Sequence, residues 1–162
     1  MFFFLKKNIY LAPFFLISNI MTTIRQLSVF LENKSGRLHE ILSALGNENI
    51  NLTALTVADT SEYGILRLLV SDPEKGYHLL KSLGYRVSLT EVIAVSISHQ
   101  AGSLAKALKD FSEKDLSIEF IYAFSLGEKA IVVLRTENHL KAMDIIERNN
   151  LTLINEEEIK HL

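Results

Sequence analysis

The feature that most restricts this chain is an internal repeat. Placing Gly102 on Gly36 sets an offset of 66 residues, and no gap is then needed from Leu27 to Glu157. Leu27, Val29 and Leu31 fall on Ile93, Val95 and Ile97. Leu38 falls on Leu104, Ile50 on Leu116, Glu62 on Glu128, Lys75 on Lys141 and Glu91 on Glu157. A shared register of this length means two copies of one structural unit. Small units bury little of their own surface, so the two are expected to pack together.

Each copy opens on a strand, a tight turn and a helix. In the first, the strand-like run Leu27–Leu31 leads into Asn33-Lys34-Ser35-Gly36-Arg37-Leu38, and Leu38, Ile41, Leu42 and Leu45 then share one helical face. The first amides of a helix lack partners and the helix dipole is positive there, so this turn suits a small anion. A plain connection would use the same glycine, and the repetition fits both readings.

The rest of the copy follows in order. Ile50 to Val57 reads as a second strand, with Ile50, Leu52 and Ala54 on one side and Asn51, Thr53 and Leu55 on the other. A polar hairpin turn spans residues 59 to 64, and Ile65 to Val70 is an apolar strand broken by Arg67. Asp72-Pro73-Glu74 starts the next helix, with Asp72 as N-cap and Pro73 at the first helical position; Tyr77, Leu80 and Leu83 are expected inside. Gly84 ends that helix before the strand Tyr85–Leu89. The second copy repeats the pattern: a strand from Val92, then a helix with Leu104, Ala107, Leu108 and Phe111 inward. A hairpin follows around Leu126-Gly127-Glu128, then a helix capped by Asn138 with Leu140, Met143 and Ile146 inward, and last the strand Leu151–Ile154. Glu156-Glu157-Glu158 reads as the start of a solvated tail. The order β-α-β-β-α-β, twice, predicts an α+β fold of two ferredoxin-like units. Each is an antiparallel sheet with its helices on one face, and the two pack side by side. No linker separates them.

The other sheet face is expected to carry Leu55, Val57, Ile65 and Leu69 in the first copy, and Ile121, Ala123, Ile131 and Val133 in the second. That is too apolar for open solvent, and a second molecule is the simplest cover.

Composition narrows the function. Of 162 residues, 22% are charged with a net charge of −2, which gives nucleic-acid binding no electrostatic support. RNA-recognition modules share this strand order but stack bases on sheet aromatics, and Phe30 is the one aromatic expected on that face. There is no cysteine, which excludes disulfides and thiol chemistry and fits a reducing compartment. No phosphate-binding loop, nucleophile elbow or paired carboxylate appears, so no constellation meets the geometric needs of catalysis. No cofactor or metal is expected. Residues 1–20, apolar after Lys6-Lys7, lack a small-x-small cleavage site and are too short between Lys7 and Asn19 to span a membrane. They are read as an extension upstream of Met21 that adds nothing to the fold. The first unit is then 22–90 and the second 91–158.

The repeated unit, with its strand–Asn-x-x-Gly-x-Leu–helix turn, resembles the ACT domain, and the likeness runs from residue 24 to about 157. The first copy also resembles the ACT unit in the small regulatory subunit of acetolactate synthase, through Val29-Phe30-Leu31-Glu32-Asn33-Lys34-Ser35-Gly36-Arg37-Leu38 and Asn49-Ile50-Asn51-Leu52. The resemblance implies a non-catalytic sensor of an amino acid. Its ligand would sit at the seam between the turn of one unit and the second strand of its neighbour. It carries over to Asn33, Ser35, Gly36, Arg37, Leu38, Asn51 and Leu52 in the first copy. In the second it carries over to His99, Ala101, Gly102, Ser103, Leu104, Ser117 and Ile118. His99 replaces Asn33 and Ser117 replaces Asn51, so the two sites should not bind alike. The implied protein is a cytoplasmic regulator that forms at least a homodimer and acts on a target enzyme of amino-acid metabolism. The rival readings are a regulatory subunit of an amino-acid biosynthetic enzyme such as acetolactate synthase and an empty, ligand-free dimerisation module.

Overall fold

The computed structural model describes residues 23–59 and 62–161. The expectation for residues 1–20 lies outside them. Among the described residues the first unit comprises β1 (Ile24–Glu32), α1 (Arg37–Asn47), β2 (Leu52–Asp59), β3 (Tyr63–Val70) and α2 (Pro73–Ser82). β4 (Val87–Ser98) follows, then α3 (Ser103–Glu113), β5 (Ile118–Leu126), β6 (Lys129–Thr136), α4 (His139–Arg148), β7 (Thr152–Leu153) and α5 (Glu156–Lys160). All neighbouring strands are antiparallel. Each unit is the ferredoxin-like arrangement expected from the repeat.

β4 belongs to both units. Its first half, Val87–Val92, pairs with β1, while Ile93–Ser98 pairs with β6. β7 adds at Val95 and Ser96. Helix caps repeat as the sequence predicts: Asp72 Oδ1 accepts from Lys75 N at 2.9 Å, and Asn138 Oδ1 from Lys141 N at 3.0 Å. On the helix side of each sheet lies a core. One holds Leu27, Val29, Ile41, Leu45, Leu66, Leu68 and Leu80; the other holds Ile93, Val95, Phe111, Val132, Leu134, Ile145 and Ile146. Leu83, Leu104 and Leu140 were expected inward and are exposed. Leu83 caps α2 beyond its last turn, and Ala142 and Ile145 take the inward positions next to Ile146 in α4.

A second departure is shared by both copies. The pairing of β2 with β3 slips between Leu52 and Ala54, and that of β5 with β6 slips between Ile118 and Phe120. One extra residue, Thr53 or Glu119, moves everything after it to the other face. Ala54 therefore leaves the side of Leu52 and stands opposite Leu69, while Leu55 and Val57 stand opposite Leu68 and Leu66 on the helix side. Ile121 and Ala123 likewise join Leu134 and Val132 on the helix side, and Phe120, Tyr122 and Phe124 turn to the helix-free face.

Those helix-free faces pack against each other within the chain. Ile24 and Leu69 of the first unit, Val92 and Ala94 of β4, and Ile131 and Val133 of the second form a third core, lined by Ala54, Phe120, Tyr122 and Phe124. Ile131 and Val133 are buried here, with no second molecule needed to cover them. The layers run helices, sheet, sheet, helices. Gln26, 0% exposed, is the buried polar residue of this interior. Its amide donates to Ser28 Oγ at 3.0 Å, and its Oε1 accepts from Tyr122 O–H at 2.8 Å. Burial pushes the Tyr122 phenol well up, so the hydroxyl stays a donor.

Glu156-Glu157-Glu158, read as a solvated run, instead opens α5. Asn155 and Glu158 form a capping box, and Ile159 is buried in the third core. Glu156 accepts from Arg25 Nη2 at 2.6 Å and from its Nε at 3.0 Å, while Arg25 Nη1 reaches Glu74 at 2.8 Å. The carboxylate thus clips the C-terminal helix to the first strand of the other unit.

Two outcomes follow. Tyr122→Phe leaves Gln26 Oε1 buried without a donor and should cost about 1–3 kcal/mol in a urea unfolding measurement. The Arg25 hydrogen bonds hold the Glu156 carboxyl below its ordinary 4.5, so its contribution is full above that pH and is lost as the pH falls through the lowered value. Acid unfolding of the native chain should therefore begin more steeply below pH 4.5 than that of Glu156→Gln.

Candidate functional site

The two turns have the same backbone. Gly36 and Gly102 are the N-caps of α1 and α3, at φ +89° and +84°. That left-handed region is open to glycine and costly for other residues, which is why each copy places glycine there. Asn33 N–H donates to Glu62 O at 3.0 Å, and His99 N–H to Glu128 O at 3.1 Å, so each turn is fastened to its own hairpin. Arg37 N–H to Lys34 O and Ser103 N–H to Gln100 O close both turns in the same way, at 3.3 and 3.1 Å.

The side chains around them differ. At the first turn Arg37 donates to Glu40 at 2.9 Å and lies 3.9 Å from Glu32, which pairs with Lys34 at 2.8 Å. Tyr85 O–H also donates to Glu40 at 3.1 Å. The Arg37 hydrogen bond, with that of Tyr85 second, lowers the Glu40 carboxyl below its usual range. Arg37, read as solvated, is part of this ionic mesh. The second turn carries no such mesh. His99, Ser103 and Leu104 line a cleft of about 210 Å³ with Ile97, Ala123, Ser125 and Val132. The imidazole Nε2 of His99 and Ser125 Oγ lie 3.2 Å apart at its polar end. Ser125 was missed by sequence reasoning; its neighbour Ala123 was assigned to the wrong face because of the bulge at Glu119.

Asn33, Ser35, Gly36, Arg37 and Leu38 are contiguous on the first turn, and His99, Ala101, Gly102, Ser103 and Leu104 on the second. Leu38 packs on the first core. Asn51 and Ser117 are not brought to them. β1 and β2 are both antiparallel to β3, so they run parallel to each other, and Asn51 sits at the start of β2 while Gly36 follows the end of β1. Asn51 N–H instead donates to Ser71 Oγ at 2.9 Å, and its carbonyl accepts from Ser71 N–H. Leu52 and Ile118 are half-buried at the strand starts, packed on the two helix-side cores. Within one unit the turn and the second-strand residues lie at opposite ends of the sheet.

The family model of the ACT domain pair matches residues 21–162. The chain belongs to the ACT domain family. Among solved structures, this ACT pair is 39% identical to protein BT0572 from Bacteroides thetaiotaomicron, covering 88% of this chain and 99% of that one, with a TM-score of 0.83. It also shares the fold of the regulatory subunit of aspartate kinase from Thermus thermophilus in a ligand-free form: 14% identity, 79% and 93% coverage, TM-score 0.60. The corresponding subunit from Thermus flavus is similar at 15% identity, 79% and 92% coverage and TM-score 0.56. No curated protein matched the ACT pair.

A Cβ built on either turn glycine meets nothing within 4 Å, so the cost of adding one there is backbone strain alone. Gly36→Ala and Gly102→Ala should each lose about 1–2 kcal/mol in chemical denaturation, and asparagine should be tolerated better than alanine at both positions.

Proposed function

We propose that this ACT pair is a non-catalytic regulatory protein that binds a small α-amino acid at the seam between ACT units. The observation that carries this is the cleft at Gly102, where a glycine-led helix start, an imidazole and a serine hydroxyl meet beside an apolar wall. The ligand carboxylate would sit on the first amides of α3 and its ammonium on side-chain or carbonyl oxygens. Asn33, Ser35, Gly36, Arg37 and Leu38 form the matching site of the first unit, with Asn51 and Leu52, or Ser117 and Ile118, supplied across the seam from a neighbouring unit. The ionic mesh at Arg37 against the His99–Ser125 cleft supports unlike binding at the two turns.

The neighbouring unit is that of a second copy, in our reading a homodimer. Leu55, Val57 and Ile121 support it: they are exposed apolar side chains on β2 and β5, the outer edges of the strand order. The regulated partner is an enzyme of amino-acid metabolism, in the cytoplasm. Regulatory subunits of aspartate kinase supply a fold precedent, and the acetolactate synthase likeness of the first copy offers a second candidate. No helix among the described residues is long and apolar enough to cross a membrane.

A thermal-shift screen of the common amino acids tests the proposal, since a ligand that binds the folded state alone raises its stability. One of them should raise the melting temperature, and His99→Ala should weaken it by about 1–3 kcal/mol in calorimetry. A chain that dimerises yet binds none of them is the ligand-free dimerisation module instead.

A further inference from the structure

Arg67 breaks the apolar run of β3, and the structure gives the break a place. The residue stands opposite Ser28 on β1 and Thr56 on β2, on the helix-free face between the two sheets. Its guanidinium lies over the Phe120 ring, 4.1 Å from the centroid. A ring face attracts a cation but offers no lone pair to five N–H donors. Arg67 Nε is buried with no hydrogen-bond partner, and among the described residues the guanidinium has neither an ion pair nor a hydrogen bond. Its neutral polar neighbours on this face are Ser28, Thr56, Thr90, Gln26 and Tyr122; the charged groups there are Arg135, opposite Phe120 and paired with Glu119, and Glu32, opposite Tyr63. A half-buried cation without an acceptor is costly, and an anion would relieve that cost.

The same face continues outward from Arg67 as an apolar shelf. Phe30 and Ile65 stand opposite each other one pair further along, and Tyr63 follows. The second unit covers the Leu69 end of this face and leaves the other end open: Phe30, Ile65 and Tyr63 are 40%, 41% and 46% exposed. Phe30 and Tyr63 stack at 5.0 Å, and Arg86 lies 5.9 Å from the Phe30 centroid. Tyr63 adds the second aromatic that the sequence did not place here. Two residues along a strand span about 6.6 Å, so a guanidinium at Arg67 and an apolar surface at Phe30 and Ile65 are within reach of one small molecule. We propose that the helix-free face of the first unit binds an aromatic carboxylate, its acid group paired with Arg67 and its ring laid on Phe30 and Ile65. At its outer end the shelf meets the cavity of the first turn, which Phe30 and Arg86 line with Glu32, Arg37 and Glu40, while the cleft at the Gly102 turn is lined by other residues.

Calorimetry and ligand-observed NMR on the full chain test it, with 3-phenylpropionate as probe, its neutral amide as control and inorganic phosphate as a bare anion. The acid should bind, the amide and phosphate should bind at least tenfold more weakly, and Arg67→Met should lower affinity for the acid at least tenfold. Phe30→Ala, at an exposed position, should weaken the acid as well and leave phosphate unchanged, which keeps the test alive if Arg67→Met does not fold. Gly102→Ala should leave probe binding intact, whatever it does to amino-acid binding. Equal binding of the amide, equal binding of phosphate, unchanged affinity in Arg67→Met, or no binding of the acid would each overturn the proposal.

Discussion

The structure depends on one strand serving two sheets. In an antiparallel strand the N–H and C=O of one residue point to the same edge, and the next residue's point to the other. Just before β4, Arg86 O accepts from Phe30 of β1, and within it Ala94 O accepts from Ile154, the residue after β7, so even-numbered residues serve that edge. Odd-numbered residues, such as Ile93 and Val95, are left to β6. The first unit's closing strand therefore becomes the second unit's opening strand without any turn between them. Everything else is disposed about that continuity. The helices α1 to α4 lie outside, the other sheet faces meet inside, and α5 returns from the far end of the chain to close the third core with Ile159 and fasten β1.

The bulges at Thr53 and Glu119 set what the two sheets can offer each other. Without them, Leu55, Val57, Ile121 and Ala123 would fill the space between the sheets. With them, that space receives Ala54 from one side and Phe120, Tyr122 and Phe124 from the other. Large aromatic side chains from the second unit thus meet a small residue and the polar groups Gln26, Ser28 and Arg67 of the first. The branched aliphatics are displaced to the helix side of the two outermost strands, where the helices do not reach them. One extra residue per copy converts a self-sufficient face into an edge with apolar side chains to spare.

Much of the fold was legible because its signals are local. The caps Asp72 and Asn138, the glycines at positive φ, the hairpin at Gly127 and the 66-residue register each depend on a few neighbouring residues. Face assignment failed because nothing in Leu52-Thr53-Ala54 or Ile118-Glu119-Phe120 announces a bulge, and a single slip reverses each later residue. The apolar face was recognised as needing cover. Its occupant was not, because hydrophobicity states a need and not a partner. Glu156 looked like solvent-facing charge for a similar reason: its partner Arg25 lies 131 positions away. At the site, contiguous turn residues could be grouped from the sequence, while Ser125 required the hairpin to be folded back before it met His99.

The shared strand has a further consequence for assembly. The third core is formed between units joined by β4 alone until α5 closes over it. The two units have no flexible linker to set their separation, and the bend of β4 decides whether the second sheet lies on the first of its own chain. If β4 runs straight, the same faces, the same Gln26–Tyr122 hydrogen bond and the same Arg25–Glu156 clip are available from another molecule. Made between two chains instead of within one, those contacts would give a domain-swapped dimer, in which two chains exchange their second halves through an extended hinge strand.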